Sequence, residues 1–194
     1  MTKLTSLCVF CGSRMGEDPA HAQEGEKLGQ MLGERGVRLV YGGGGIGLMA
    51  VVANAAVAAG APVTGIIPEF LRAYEVGVVD GAEELVVEGM HERKAKMFEI
   101  SDAFVVLPGG LGTLDESIEI TTWKQLQQHN KPIIFVNTNG YWDPYMALID
   151  RVVEGGFGHH KVRELFQVVD RVEDVFDAIA ASPDSDEVVL TSHL

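Results

Sequence analysis

Short apolar runs alternate along this chain with longer amphipathic ones. LCVFC (7–11), VRLVY (37–41), PVTGII (62–67), ELVV (84–87), AFVVL (103–107), PIIFV (132–136) and LFQVV (165–169) are each four to six residues long. Most are apolar without strict alternation, the pattern of strands buried on both faces. Between them, segments 18–35, 46–59, 91–101, 113–129, 143–155 and 173–181 carry helical spacing. Strand–helix alternation of this kind predicts an α/β fold, a parallel sheet with helices on both faces. Residues 1–181 read as a single domain, with no linker or short-period repeat. The tail 182–194, SPDSDEVVLTSHL, reads as a flexible extension.

Several predicted strands run into small or turn-forming residues: CGS at 11–13, GGGGIG at 42–47, PGGLGT at 108–113 and NTNG at 137–140. In an open parallel sheet the carboxyl ends of the strands share one edge, and ligands bind in the crevice there. These stretches are therefore expected to converge, their glycines letting backbone N–H groups approach a ligand.

Composition narrows the ligand. The chain has 194 residues, 46% of them hydrophobic, enough for a sizeable core. Its 28 acidic and 15 basic residues give a formal net charge of −13. That balance argues against nonspecific binding to nucleic acid or to anionic membrane, though a local site can still take a small anion. The N-terminus MTKLTSLCVFCG reads as a first strand and not as a signal peptide. The most membrane-like stretch, 46–67, is broken by Asn54, Gly60, Pro62 and Thr64 and reads as a buried helix and strand. A soluble cytoplasmic protein is expected. Cys8 and Cys11 are the chain's two cysteines. Their C-x-x-C spacing lies in a predicted strand and lacks a second ligand pair, so two small buried residues are expected and not a redox or metal site. His159 and His160 read as loop residues. No metal and no cofactor is expected.

Gly42-x-Gly44-x-x-Gly47 spells out the dinucleotide-binding spacing, but it follows the second predicted strand and lacks a suitably placed ribose-binding acid. No GK[ST] follows, which excludes a Walker A loop. What survives is a helix N-terminus able to hold a phosphate. PGGLGT opens a second such helix, with Thr113 expected near its N-cap. Asp115, Glu116 and Glu119 follow it at about 0°, 100° and 40° on the helical wheel, inside one arc. Asp115 reads as an ordinary helix-start acid; Glu119 lies beyond that turn. A third element, EGMHERKAKMFEISDA (88–103), concentrates Arg93, Lys94 and Lys96 near a helix start, where the dipole favours acids. That local conflict marks a functional candidate. Met90, Met97 and Ile100 read mainly as core, and His91 as structural.

Together GGGGIGLM (42–49), MHERK (90–94), PGGLGTLDE (108–116), Glu119 and ITTW (120–123) are distinctive. With CVFCGS at the start, the chain resembles the LOG ("lonely guy") family of cytokinin-activating phosphoribohydrolases over nearly its whole length. Members of that family have carried the label lysine decarboxylase. The resemblance implies a Rossmann-like fold and a homodimer. It implies hydrolysis of the N-glycosidic bond of a nucleoside 5′-monophosphate, a cytokinin riboside monophosphate or AMP, to free base and ribose 5-phosphate. By the same resemblance Arg93 and Glu116 form the catalytic pair. Ser13, Gly43, Gly44, Gly45, Gly47, Met90, Lys94, Gly109, Gly110, Leu111, Gly112 and Thr113 bind the substrate. Glu119 is a supporting candidate behind Glu116. Ala50, where the family often has Gly, is a departure expected to touch helix packing more than phosphate contact.

Breaking an N-glycosidic bond builds positive charge on the ribose. A carboxylate at Glu116 would stabilise that charge and orient water; Arg93, always protonated, would bind and orient but not act as base. The competing readings are a non-catalytic nucleotide-binding or cofactor-carrier module and an NAD-dependent oxidoreductase. Neither accounts for Glu116 together with Arg93 beside a phosphate cradle. Pyridoxal-dependent decarboxylation would need a Schiff-base lysine that no motif marks.

Overall fold

The computed structural model of the chain describes residues 4–72, 77 and 79–182. Residues 183–194 of the predicted tail lie outside the described residues. Strands β1 (Ser6–Phe10), β2 (Arg38–Tyr41), β3 (Val63–Pro68), β4 (Glu83–Val87), β5 (Ala103–Val106), β6 (Ile133–Val136) and β7 (Gln167–Val169) form one sheet in the order β4-β3-β2-β1-β5-β6-β7. Every pairing is parallel. The helices are α1 (Pro19–Arg35), α2 (Gly47–Ala58), α3 (Glu69–Arg72), α4 (Met90–Glu99), α5 (Leu111–Gln125), α6 (Asp143–Glu154) and α7 (Val175–Ala181). This is the predicted α/β architecture, and its strand order reverses at β1, between β2 and β5.

Side chains alternate across each strand, and the core divides accordingly. Leu7 and Val9 of β1 join a cluster with residues of α1, α2 and α7. Cys8 and Phe10 join a second cluster with Met97 of α4, Ile120 of α5, and Tyr145 and Met146 of α6. The same alternation settles the cysteine motif. Cys8 and Cys11 are three positions apart, so they face opposite layers, and both thiols are free and buried. Burial first, then the negative charge of Glu116, pushes both thiols well above the ordinary cysteine value. They stay protonated and packed, as expected of core residues.

α1 and α2 approach closely because glycine faces backbone where they cross. A Cβ at Gly29 would lie 2.5 Å from the Val52 carbonyl oxygen, and one at Gly33 would lie 2.4 Å from that of Ala59. α1 starts at a side-chain cap, Asp18 accepting from the Ala20 N–H at 2.9 Å with Pro19 in the first turn, and it stops at Gly36 with φ 62°. α7 ends at Ser182, whose hydroxyl donates to the Ala178 carbonyl at 3.0 Å and accepts from Gln167 Nε2 at 2.6 Å. Tyr145, packed in the aromatic layer under α6, has its hydroxyl pushed up to about 12 by burial. No helix of the described residues is long and apolar enough to cross a membrane.

Candidate active site

The reversal at β1 opens a crevice between the ends of β1 and β5. Three of the four strand-end stretches meet there. The Gly12 N–H donates to the Pro108 carbonyl at 3.0 Å, and the Met49 N–H to that of Gly12 at 3.3 Å, tying the loop after β1 to the loop after β5 and to α2. Gly47, with φ 62°, lies so close to the Ser13 and Arg14 backbone that a Cβ there would come within 2.2 Å of it. Tyr141, beyond β6, donates its hydroxyl to the Gly109 carbonyl at 2.7 Å. The fourth stretch goes elsewhere: Asn137–Gly140 lines a separate, open recess of about 650 Å³ with Glu24, Asp143 and Asp170.

The crevice holds a cavity of about 180 Å³, lined by Val9, Cys11, Gly12, Ser13, Gly42, Met49, Met90, Arg93, Gly110, Leu111, Gly112, Thr113 and Glu116. One wall is the N-terminus of α5. That helix begins at Leu111, two residues earlier than the sequence pattern predicts, with Gly110 as a cap that makes no side-chain hydrogen bond. Thr113 is therefore the third helical residue, in the turn that follows the cap and not the cap itself. It is buried, and its hydroxyl lies so near Gly109 that a Cβ there would come within 2.1 Å of Oγ1. The first turn of α5 contains no acid. The first N–H groups of a helix lack intrahelical acceptors and carry the positive end of its dipole. With no carboxylate on this turn, that potential is available to an external anion.

Arg93, from α4, and Glu116, one turn further along α5, complete the lining. Both are buried, 6% and 8% exposed, and Arg93 Nη2 stands 3.9 Å from Glu116 Oε1. That is a charge contact, longer than a hydrogen bond. Arg93 Nη1 approaches Met90 Sδ at 4.0 Å, and its Nε is buried without a hydrogen-bond partner. The guanidinium thus lines the cavity while holding a buried N–H that no protein group accepts. The earlier helix start also reassigns Asp115, which sits in the second turn and is not a helix-start acid. Lys94 Nζ binds it at 3.1 Å and Glu119 at 3.1 Å. Burial pulls the Lys94 ammonium down, and the two carboxylates more than offset this, leaving it above the ordinary lysine value.

Of the residues expected to bind substrate, Ser13, Met90, Gly110, Leu111, Gly112 and Thr113 line the cavity with Arg93 and Glu116. Gly43, Gly44, Gly45, Gly47, Lys94, Gly109 and Glu119 do not line it. Gly43 has φ 79°, and a Cβ at Gly45 would lie 2.0 Å from the Gly77 carbonyl oxygen, so these two serve the loop's own path. Cys11, Gly12 and Gly42 lay in stretches expected to converge but were not named as substrate contacts, and Val9 and Met49 were not anticipated as lining residues. Met97 is fully buried, as its helical spacing suggested, and His91 is exposed. His159 caps a short 3₁₀ turn by accepting from the Lys161 N–H at 3.3 Å.

Residues 49–179 match a family model described as possible lysine decarboxylase. Among curated proteins, the cytokinin riboside 5′-monophosphate phosphoribohydrolase LOG of rice (Oryza sativa subsp. japonica) is 45% identical over 156 residues, 80% of this chain and 64% of the rice protein. A cytokinin riboside 5′-monophosphate phosphoribohydrolase of Arabidopsis thaliana is 37% identical over 203 residues, covering 100% of this chain and 94% of its own. This chain belongs to the LOG family. It spans a little under two thirds of the rice relative and nearly all of the Arabidopsis one. Among solved structures, the molybdenum cofactor binding protein of Rippkaea orientalis superposes with a TM-score of 0.68 at 19% identity, covering 93% of this chain and 98% of that one. The Moco carrier protein of Chlamydomonas reinhardtii gives 0.68 at 18% identity, with 92% and 96% covered. These likenesses establish the fold.

The LOG-family motifs thus lie at the switch point. The decarboxylase description would require pyridoxal phosphate held on a lysine. Among the described residues no lysine lines the cavity, and the nearby Lys94 is engaged by two carboxylates. The residues present do not fit that cofactor.

Proposed function

We propose that this LOG-family chain hydrolyses the N-glycosidic bond of a nucleoside 5′-monophosphate, releasing a free base and ribose 5-phosphate. The observation that carries the reading is the pairing, in one cavity, of an acid-free helix N-terminus with a buried Arg93–Glu116 contact. The phosphate binds at the first turn of α5, on the N–H groups of residues 111–113. Glu116 follows Thr113 by three residues, so it stands about one helical turn, ~5 Å, along the axis. That separation is on the order of the distance from a 5′-phosphate to the anomeric carbon. Glu116 then faces the ribose, stabilises its developing positive charge and orients the attacking water. Arg93 binds the nucleotide and holds it against Glu116. Binding energy from the remote phosphate is used to orient the reacting centre, which predicts a preference for the monophosphate over the nucleoside.

A homodimer in the cytoplasm belongs to the same proposal. Leu111, Ile118 and Leu126, 84%, 47% and 40% exposed, lie on the flank of α5 that also carries Asp115 and supply exposed apolar surface for a second copy. Light scattering behind a sizing column tests the dimer.

The functional test compares AMP, isopentenyladenosine monophosphate and the corresponding nucleosides. Release of free base from a monophosphate, with little or none from the nucleosides, is expected. Tight nucleotide binding without base release would favour a carrier and overturn the proposal.

A further inference from the structure

The glycines after β2 do not all answer the same constraint. Gly43 and Gly47 have left-handed backbone, and Gly45 faces the Gly77 carbonyl. Gly42 does neither: its φ lies outside the left-handed region, so any residue could adopt its backbone. What excludes a side chain there is Arg93. A Cβ at position 42 would lie 1.9 Å from Arg93 Nη2 and 3.1 Å from Cζ, with Met49 Sδ next at 3.2 Å. None of these three nearest atoms is backbone. The obstructing group is the end of a long side chain, so the fold can absorb a methyl by moving the guanidinium.

That guanidinium has few places to go without leaving Glu116. It is buried, with Nη1 against Met90 and Nη2 3.9 Å from Glu116. We propose that Gly42 is a positioning residue for hydrolysis: the space left by its missing side chain is the seat that holds the Arg93 guanidinium at Glu116. This rests on the reading of Arg93 and Glu116 as the pair that acts on the nucleotide. A methyl at 42 pushes Nη2 off its seat by roughly 1 Å or more, and a misplacement of that size costs about a hundredfold in rate.

The experiment measures kcat, KM and melting temperature for G42A, R93K, R93A and the double variants G42A/R93K and G42A/R93A, with AMP and isopentenyladenosine monophosphate as substrates. G42A is expected to melt within about 3 °C of the parent and to lose about a hundredfold in kcat/KM. In the R93K background the shorter ammonium leaves the seat empty, so adding G42A should cost less than about threefold. A purely structural role for Gly42 predicts the same factor in both backgrounds, and that result overturns the seat. If G42A melts early, R93A decides: restored melting in G42A/R93A supports the clash, and a loss that persists overturns it. R93A without activity and G42A at the parental rate would remove the seat alone. Parental hydrolysis by R93A would instead remove the Arg93–Glu116 reading, and base release from neither substrate by the parent would remove the proposed function.

Discussion

Arg93 and Lys94 are neighbours on α4, and each reaches across to a carboxylate on α5. Arg93 meets Glu116 at 3.9 Å, with both side chains at most 10% exposed, beside the cavity. Lys94 meets Asp115 and Glu119 at 3.1 Å each, on a flank where Asp115 is 57% exposed. Helical geometry produces both contacts at once. Asp115 and Glu119 are four apart and share a face, while Glu116 points about 100° away; Arg93 and Lys94 diverge by the same angle. The close, saturated contact faces solvent and clamps two helices. The loose one, with an unpartnered Nε, faces the cavity. A cation already satisfied by carboxylates has little left for a phosphate or a ribose. The contact that looks weaker is the one to which we assign the proposed hydrolysis.

The largest expected effect separates the two contacts by function. Glu116→Gln keeps the side chain's shape and removes its charge. It should bind nucleotide as the parent does and release base at least about a hundredfold more slowly. Steady-state release of adenine, with calorimetric binding of AMP, reads both quantities. Near-parental turnover would show that the cavity-facing carboxylate has no special role. Arg93→Lys ranks next. It preserves charge but loses the planar fork, so a fall in kcat/KM of about tenfold or more is expected.

The sequence reveals one contact more readily than the other. The seven strands and six longer helices of the described residues were legible because a buried parallel sheet imposes continuous apolar runs, with turn residues at the strand ends. α3 was not, since Glu69–Arg72 is one turn long and too short for periodicity to register. The start of α5 was misread because Gly110 and Gly112 look like loop and Thr113 like a cap. In the folded chain Gly110 caps without a side chain, and the helix is already under way at Leu111. That two-residue shift changed Asp115 from a helix-start acid into a partner of Lys94. Arg93 was marked with Lys94 and Lys96 as a cation cluster at a helix start, but its pairing with Glu116 stood out only through a family resemblance, since no helix pattern singled out Glu116. The seat at Gly42 could not be read at all: it joins residues 51 positions apart, and only the β1 crevice brings them together.

Lys94→Met tests the clamp. It removes the shared cation and leaves Asp115 and Glu119 facing each other as like charges at i,i+4. A loss of about 1 kcal/mol in stability is expected by chemical denaturation, smaller at high salt because the flank is wet. kcat/KM should fall less than about tenfold. A loss as large as that of Arg93→Lys would place Lys94 on the nucleotide and erase the distinction. The pH response has a definite sign. The Lys94 pKa is raised above 10.5, so its contribution is fully present below that value and is lost as pH rises through the folded pKa. The stability difference between parent and Lys94→Met should therefore not shrink through loss of the lysine's proton between neutrality and pH 10.

Asp115→Asn should have the smallest effect. Its carboxylate is the most exposed of the three, and Glu119 still holds Lys94 at 3.1 Å when it is gone. Exposed ion pairs contribute little, so a change under about 0.5 kcal/mol is expected, with hydrolysis unaltered. Removing one of two like charges four residues apart also relieves a repulsion, which further cancels the loss. A loss equal to that of Lys94→Met would mean that Asp115 alone carries the clamp. A fall in turnover would mean that the solvent-facing contact is coupled to Glu116 through the first turns of α5. Unaltered turnover assigns Asp115 to holding α4 against α5, and leaves Glu116 as the carboxylate on that helix proposed to face the substrate.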